Sequence, residues 1–148
     1  MIWSLKDHSH DGKLSGLLDP LLRKNNPNSL YNYGRMLRVG RGVDKDLEGA
    51  ASCFEKSAER GFDWANISLI DTLREIGNDA AMARSFEISK DFAEKGNMNA
   101  KYRLGLAYEN GWGTPVDLSQ AAKLYEESQS KVPQASEQLK KIKNVNKK

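Results

Sequence analysis

Two stretches of this chain repeat each other at a fixed distance. Gly34 and Gly105, Gly40 and Gly111, Gly42 and Gly113, Asp46 and Asp117, Leu47 and Leu118, Ala50 and Ala121, and Phe54 and Tyr125 all stand 71 residues apart. Glycines, small residues and aromatics in register at such a spacing mark an architecture of stacked copies. Because 71 is about twice 35, a third copy is expected between the two. Fragments of it are present: Ala58-Glu59-Arg60-Gly61 returns as Ala93-Glu94-Lys95-Gly96, and Ala65, Ala100 and Ala135 each advance by 35. This middle copy is degenerate. Ile76-Gly77-Asn78 replaces the paired loop glycines, and Ile70 stands where the others have Gly34 and Gly105.

Each copy reads as two helices. Tyr33, Met36 and Leu37, then Leu47, Ala50, Ala51, Phe54 and Ala58, follow the three-and-four spacing that gathers apolar side chains on one helical face. Gly40 and Gly42 punctuate the turn between them. Asp46 and Asp117 suit the start of the second helix as N-caps, and Gln120 completes a capping box with Asp117. Gly61 and Gly96, preceded by Arg60 and Lys95, suit helix C-termini, where the cations also oppose the negative end of the dipole. Helices are predicted at roughly 28–39, 46–60, 64–76, 79–95, 98–110 and 117–131. Leu14, Leu17, Leu18, Leu21 and Leu22 predict a capping helix over about 12–24, and Ala135, Leu139 and Ile142 give a last helix, opened by Pro133, its inner face. One helix pair cannot bury its apolar face alone, so the expected fold is all-α: a right-handed α/α solenoid whose copies stack on their neighbours. The expected organisation is an N-terminal segment at 1–27, repeats at 28–63, 64–97 and 98–132, and a C-terminal capping helix with a basic tail at 133–148.

These residues resemble the Sel-one-like repeat, a subtype of the tetratricopeptide-like α/α repeats. The third unit carries the pattern at Ala100, Leu104, Gly105, Tyr108, Gly111, Gly113, Val116, Asp117, Ala121 and Tyr125. The first carries it at Tyr33, Gly34, Leu37, Gly40, Gly42, Val43, Asp46, Ala50, Phe54, Ala58 and Gly61. The middle unit departs from it at the helix-contact and loop glycines, and the third ends without its closing glycine. In packing terms, Gly34 and Gly105 let the paired helices approach closely, with Phe54 or Tyr125 beside them.

Composition narrows the function classes. The chain has 148 residues, 39% hydrophobic and 29% charged, in the range of an ordinary globular domain. It has no apolar run near the ~20 residues of a membrane span. The lone Cys53 excludes an intrachain disulfide and, on a periodic apolar face, reads as a small core residue. The net charge of +3 owes much to the tail from Lys140 to Lys148, which reads as a solvated terminus, with nucleic-acid attraction as its alternative. The start lacks the basic and apolar regions of a secretory signal, so a cytoplasmic location is expected unless a signal has been trimmed. Asp7-His8-Ser9-His10-Asp11 is the only histidine cluster; with no third histidine it reads as a solvated loop rather than a metal site. No nucleophilic triad, P-loop or dinucleotide motif is present, and no two carboxylates are paired for acid-base work. Neither catalytic residues nor a cofactor are expected.

The resemblance implies a non-catalytic protein-protein interaction module, an adaptor or scaffold most often found in bacteria. In the related repeats the first helix of each pair lines a concave face. Its positions here are Tyr31, Arg35 and Arg38, then Trp64, Ile67, Asp71 and Arg74, then Tyr102, Leu106 and Glu109. Aromatics and arginines are enriched in interface hot spots, and these arginines suit an acidic partner with an apolar anchor. Core packing is the alternative for Trp64 and Ile67, as solvated surface is for Arg35, Arg38 and Arg74. Trp112, in an interhelix loop, reads as packing or as contact. A sharper functional alternative is a bacterial immunity protein that neutralises a cognate secreted toxin.

Overall fold

The computed structural model describes residues 26–146. The expected helix over 12–24 and the histidine cluster lie outside them. Among the described residues there are seven helices and no strand. They are α1 (Pro27–Val39), α2 (Leu47–Glu59), α3 (Trp64–Ile76), α4 (Asp79–Glu94), α5 (Met98–Asn110), α6 (Leu118–Ser128) and α7 (Pro133–Asn146). The chain packs as two compact units that divide after Ile76. The division falls between the two helices that the periodicity assigns to the degenerate middle copy.

In the first unit α1 packs on α2 and α2 on α3; in the second, α4 packs on α5, α5 on α6 and α6 on α7. Both glycine-rich loops are built from the same hydrogen bonds. Gly40 and Arg41 donate their amides to the Met36 carbonyl at 2.8 and 3.0 Å, and Gly111 and Trp112 donate theirs to Ala107 at 2.8 and 2.9 Å. This needs a left-handed backbone at the first glycine, φ 78° at Gly40 and 75° at Gly111, which a Cβ resists.

Asp46 and Asp117 cap the following helices, their Oδ1 atoms accepting from the Gly49 and Gln120 amides at 2.9 and 3.1 Å. The capping box expected of Gln120 is corrected here. The Asp117 amide donates to the Tyr108 carbonyl at 2.9 Å, as the Asp46 amide donates to Leu37 at 2.8 Å. The loop itself brings a carbonyl of the first helix to the amide that the box would have satisfied. At the other ends, Phe62 donates to Ser57 and Gly61 to Ala58, while Asn97 donates to Phe92 and Gly96 to Ala93. These crossed bonds are the Schellman pattern, and they satisfy the last carbonyls of α2 and α4.

The core forms where glycine faces an aromatic ring. Phe54 and Tyr125 are wholly buried. A Cβ added at Gly34 would lie 2.8 Å from Phe54 Cε1, and one at Gly105 would lie 2.7 Å from Tyr125 Cε1. The expected close approach is present in both pairs. Ile70, at the equivalent middle position, is also fully buried, within the first unit. Ser57 and Ser128 repeat at the same spacing, and both satisfy their buried hydroxyls on backbone carbonyls, Ser57 Oγ donating across to Pro27 at the start of α1 at 2.7 Å and Ser128 Oγ to Leu124 in its own helix at 2.9 Å.

α7 continues the register of the first helices, because Ala135 follows Ala65 and Ala100. Ala135, Leu139 and Ile142 are buried against Ala121 and Tyr125. Where α5 presents Gly105 and Tyr108 to α6, α7 carries Lys140 and Lys143, both exposed. Burying that face under another helix would mean desolvating two cations.

Candidate partner-binding surface

Tyr31, Arg35 and Arg38 occupy one side of α1. Tyr31 is part-buried, its ring 5.5 Å from that of Phe54 and 4.9 Å from that of Phe62. Arg35 is exposed, with its guanidinium 5.9 Å from the Tyr31 centroid, in cation-π range. Arg38 Nε donates to Glu75 Oε1, so the end of α1 is tied to the end of α3. On α3, Trp64 is 49% exposed and Asp71 and Arg74 are part-buried. Ile67 is corrected. It is only 3% exposed, since α3 also buries Leu69, Ile70 and Leu73, and its side chain serves the core rather than an outward wall.

In the second unit the three expected residues are drawn into packing within the chain. Tyr102 and Leu106 lie against the cluster formed by α6 and α7, with the Tyr102 ring 5.9 Å from that of Tyr125. Glu109 Oε1 accepts from the Tyr125 hydroxyl at 2.6 Å and from Gln138 Nε2 at 3.2 Å. Glu109 is thus a strut between helices. Tyr125 explains why: Phe54, its counterpart, has no hydroxyl, whereas a buried Tyr must place its O–H on an acceptor. Burial, and then this bond to Glu109, push the Tyr125 hydroxyl well above its ordinary value. Burial likewise pushes the Cys53 thiol up to about 11, so this part-buried side chain is a poor nucleophile at neutral pH. Trp112 is part-buried beside Gly111.

An open groove of about 760 Å³ runs along α1 in the first unit. Among the described residues, Arg35, Arg38, Arg41 and Lys45 supply four cations, and the only carboxylate that lines it is Glu75, already bonded to Arg38. Met36 and Val39 form its apolar part. Val39 is 66% exposed, at the end of a helix whose core stripe is Leu30, Tyr33, Gly34 and Leu37. Sequence reasoning found Arg35 and Arg38, put Met36 on the core stripe where the structure has it part-buried on the groove, and missed Val39, Arg41, Lys45 and Glu75. The signal for Met36 and Val39 was present: Asn32, Arg35, Met36 and Val39 form a second three-and-four stripe beside the core one. Arg41 and Lys45 sit in what reads as a turn, and only the folded loop turns them toward α1. Among the described residues, no group of three or more potential metal-ligating side chains could hold an ion, and no helix is long and apolar enough to cross a membrane.

Comparison with known proteins agrees with the geometry. A family model described as the Sel1 repeat matches residues 27–62 and 99–128. No curated protein matches the chain. Among solved structures, a protective antigen present in uropathogenic Escherichia coli strains, described as displaying an SLR fold, superposes with a TM-score of 0.72 at 28% identity, over 84% of this chain and 27% of that one. A Sel1 repeat protein from Oxalobacter formigenes superposes with a TM-score of 0.62 at 23% identity, over 78% of this chain and 49% of that one. The chain therefore spans about a quarter of the first relative and about half of the second. The matched segments are the two pairs in which glycine meets a buried ring and the loop amides close on the same carbonyls, and the chain carries a Sel1 repeat at each of them.

Proposed function

We propose that this chain is a non-catalytic adaptor or scaffold module that binds a protein partner. Sel1 repeats are generally protein-interaction modules, and solenoids of this family are typically non-catalytic. The observation that carries the reading is on the first helix pair. Alongside its core stripe, α1 leaves outward a second stripe of arginine and aliphatic side chains, with Val39 two-thirds exposed. Arginine and methionine are among the residue types enriched at interface centres, and here Arg35, Arg38 and Met36 line one groove with the exposed Val39. Tyr31, Trp64, Asp71 and Arg74 extend the proposed surface over α1 and α3, while Tyr102, Leu106 and Glu109, also part-buried, pack within the second unit.

The test is capture of proteins from the native cell on the immobilised full chain, quantified by mass spectrometry beside an Arg35→Glu, Arg38→Glu variant that melts like the parent. A protein retained by the parent and lost on the variant is the expected result. Retention by neither, with both chains folded by circular dichroism, would sink the reading.

A further inference from the structure

We infer that the groove on α1 takes an acidic polypeptide segment carrying an aliphatic side chain among its carboxylates. This deepens the interaction-module reading and rests on it. Among the described residues, four cations face one carboxylate along the groove, and that carboxylate is held by Arg38. The wall is therefore positive where a ligand would lie, and it attracts anions before contact is made.

Charge alone would suit a phosphate, a nucleic-acid backbone or an acidic peptide. Met36 and Val39 decide among them. They line the same groove as the cations, and Val39 is 66% exposed. A phosphodiester backbone contacts the cations and leaves that aliphatic surface wet, whereas a peptide alternating carboxylates with Leu, Ile or Val covers it and gains from the apolar area removed from water. The cations also differ in kind. Arg35 rests on the Tyr31 ring, Arg38 is oriented by Glu75, and Arg41 and Lys45 flank the loop after Gly40. Planar guanidiniums presented at fixed angles favour two-point bonding to carboxylates, while Lys45 adds an adaptable charge. The Gly40 turn fixes the backbone from which Arg41 projects, because the Arg41 amide donates to the Met36 carbonyl at 3.0 Å.

The experiment is selection of a random peptide library on the full-length chain, followed by titration of the enriched peptides against the parent, an Arg41→Glu, Lys45→Glu variant, Val39→Asp, and a control Lys140→Glu in the second unit. All four are exposed positions, and circular dichroism establishes that each variant is folded. The expected result is enrichment of peptides combining Asp or Glu with aliphatic residues. Their affinity should fall about tenfold or more in the charge-reversed variant, fall similarly in Val39→Asp, and stay unchanged in Lys140→Glu. It should also weaken with added salt. Enriched peptides of other composition, or ones insensitive to Arg41 and Lys45, overturn this groove while leaving an interaction module bound elsewhere. No enrichment at all overturns the groove as a peptide site, and partner capture from the native cell then judges the broader reading on its own. Inorganic phosphate or a single-stranded oligonucleotide displacing the selected peptides and binding Val39→Asp as well as the parent would make this an anion site and overturn the polypeptide assignment.

Discussion

At the scale of single residues, the two repeats differ in one atom that changes how their cores respond to substitution. Phe54 and Tyr125 fill the same position, but the Tyr125 ring is pinned at its far end by Glu109. Gly105→Ala should therefore be more destabilising than Gly34→Ala, although the added methyl meets a ring edge at nearly the same distance in each, 2.7 and 2.8 Å. An untethered ring can yield by a few tenths of an ångström, and a tethered one resists. The expected loss is about 1–3 kcal/mol for Gly105→Ala, with Gly34→Ala nearer the lower end, read from urea denaturation midpoints. Cys53 makes a second prediction. Its thiol titrates near 9 when exposed and near 11 in the folded chain. Between those values the unfolded state releases its proton first, so this contribution is fully present below pH 9 and is lost as pH rises toward 11, by at most about 2–3 kcal/mol. Stability measured at pH 8 and pH 10.5 should fall less steeply in Cys53→Ala than in the parent; equal slopes would mean the thiol is not titrating as described.

At the scale of elements, caps and loops were the most legible part of the chain because their bonds span only a few residues. Asp46 and Asp117 cap as their spacing indicated, and Gly61 and Gly96 close the helices they were expected to close. Asp117→Ala should cost about 1 kcal/mol, removing the acceptor for the Gln120 amide, and Gln120→Ala should cost much less because the reciprocal arm is absent. Thermal melts of the two variants decide this; equal losses would restore the capping box. Glu75 and Lys45 show where legibility ends. Nothing in the local pattern says that Glu75 meets Arg38 across 37 positions, or that Lys45 turns toward α1. Each depends on how a neighbouring helix or loop is rotated, which small packing differences set.

At the scale of the whole molecule, stability in stacked repeats is a sum over neighbouring elements. Removing residues 133–148 would uncover Ala121 and Tyr125 and take away Gln138 from Glu109. The truncated chain should melt at a lower temperature, by several degrees or more, and should bind a hydrophobic dye that the parent does not. An unchanged melt would show that α7 contributes little to the second unit. Among the described residues, periodicity was enough to assign the seven helices, their turns and the close glycine-to-ring approach, because each follows from backbone geometry and from the need to bury one face of every helix. It could not say that Ile67 would turn inward, that Glu109 would be claimed by Tyr125 and Gln138, or that Val39 would stand exposed among arginines. Those outcomes depend on which side of a helix its neighbours cover, and that is settled by contacts between segments far apart in the chain, to which a spacing of three and four residues is blind.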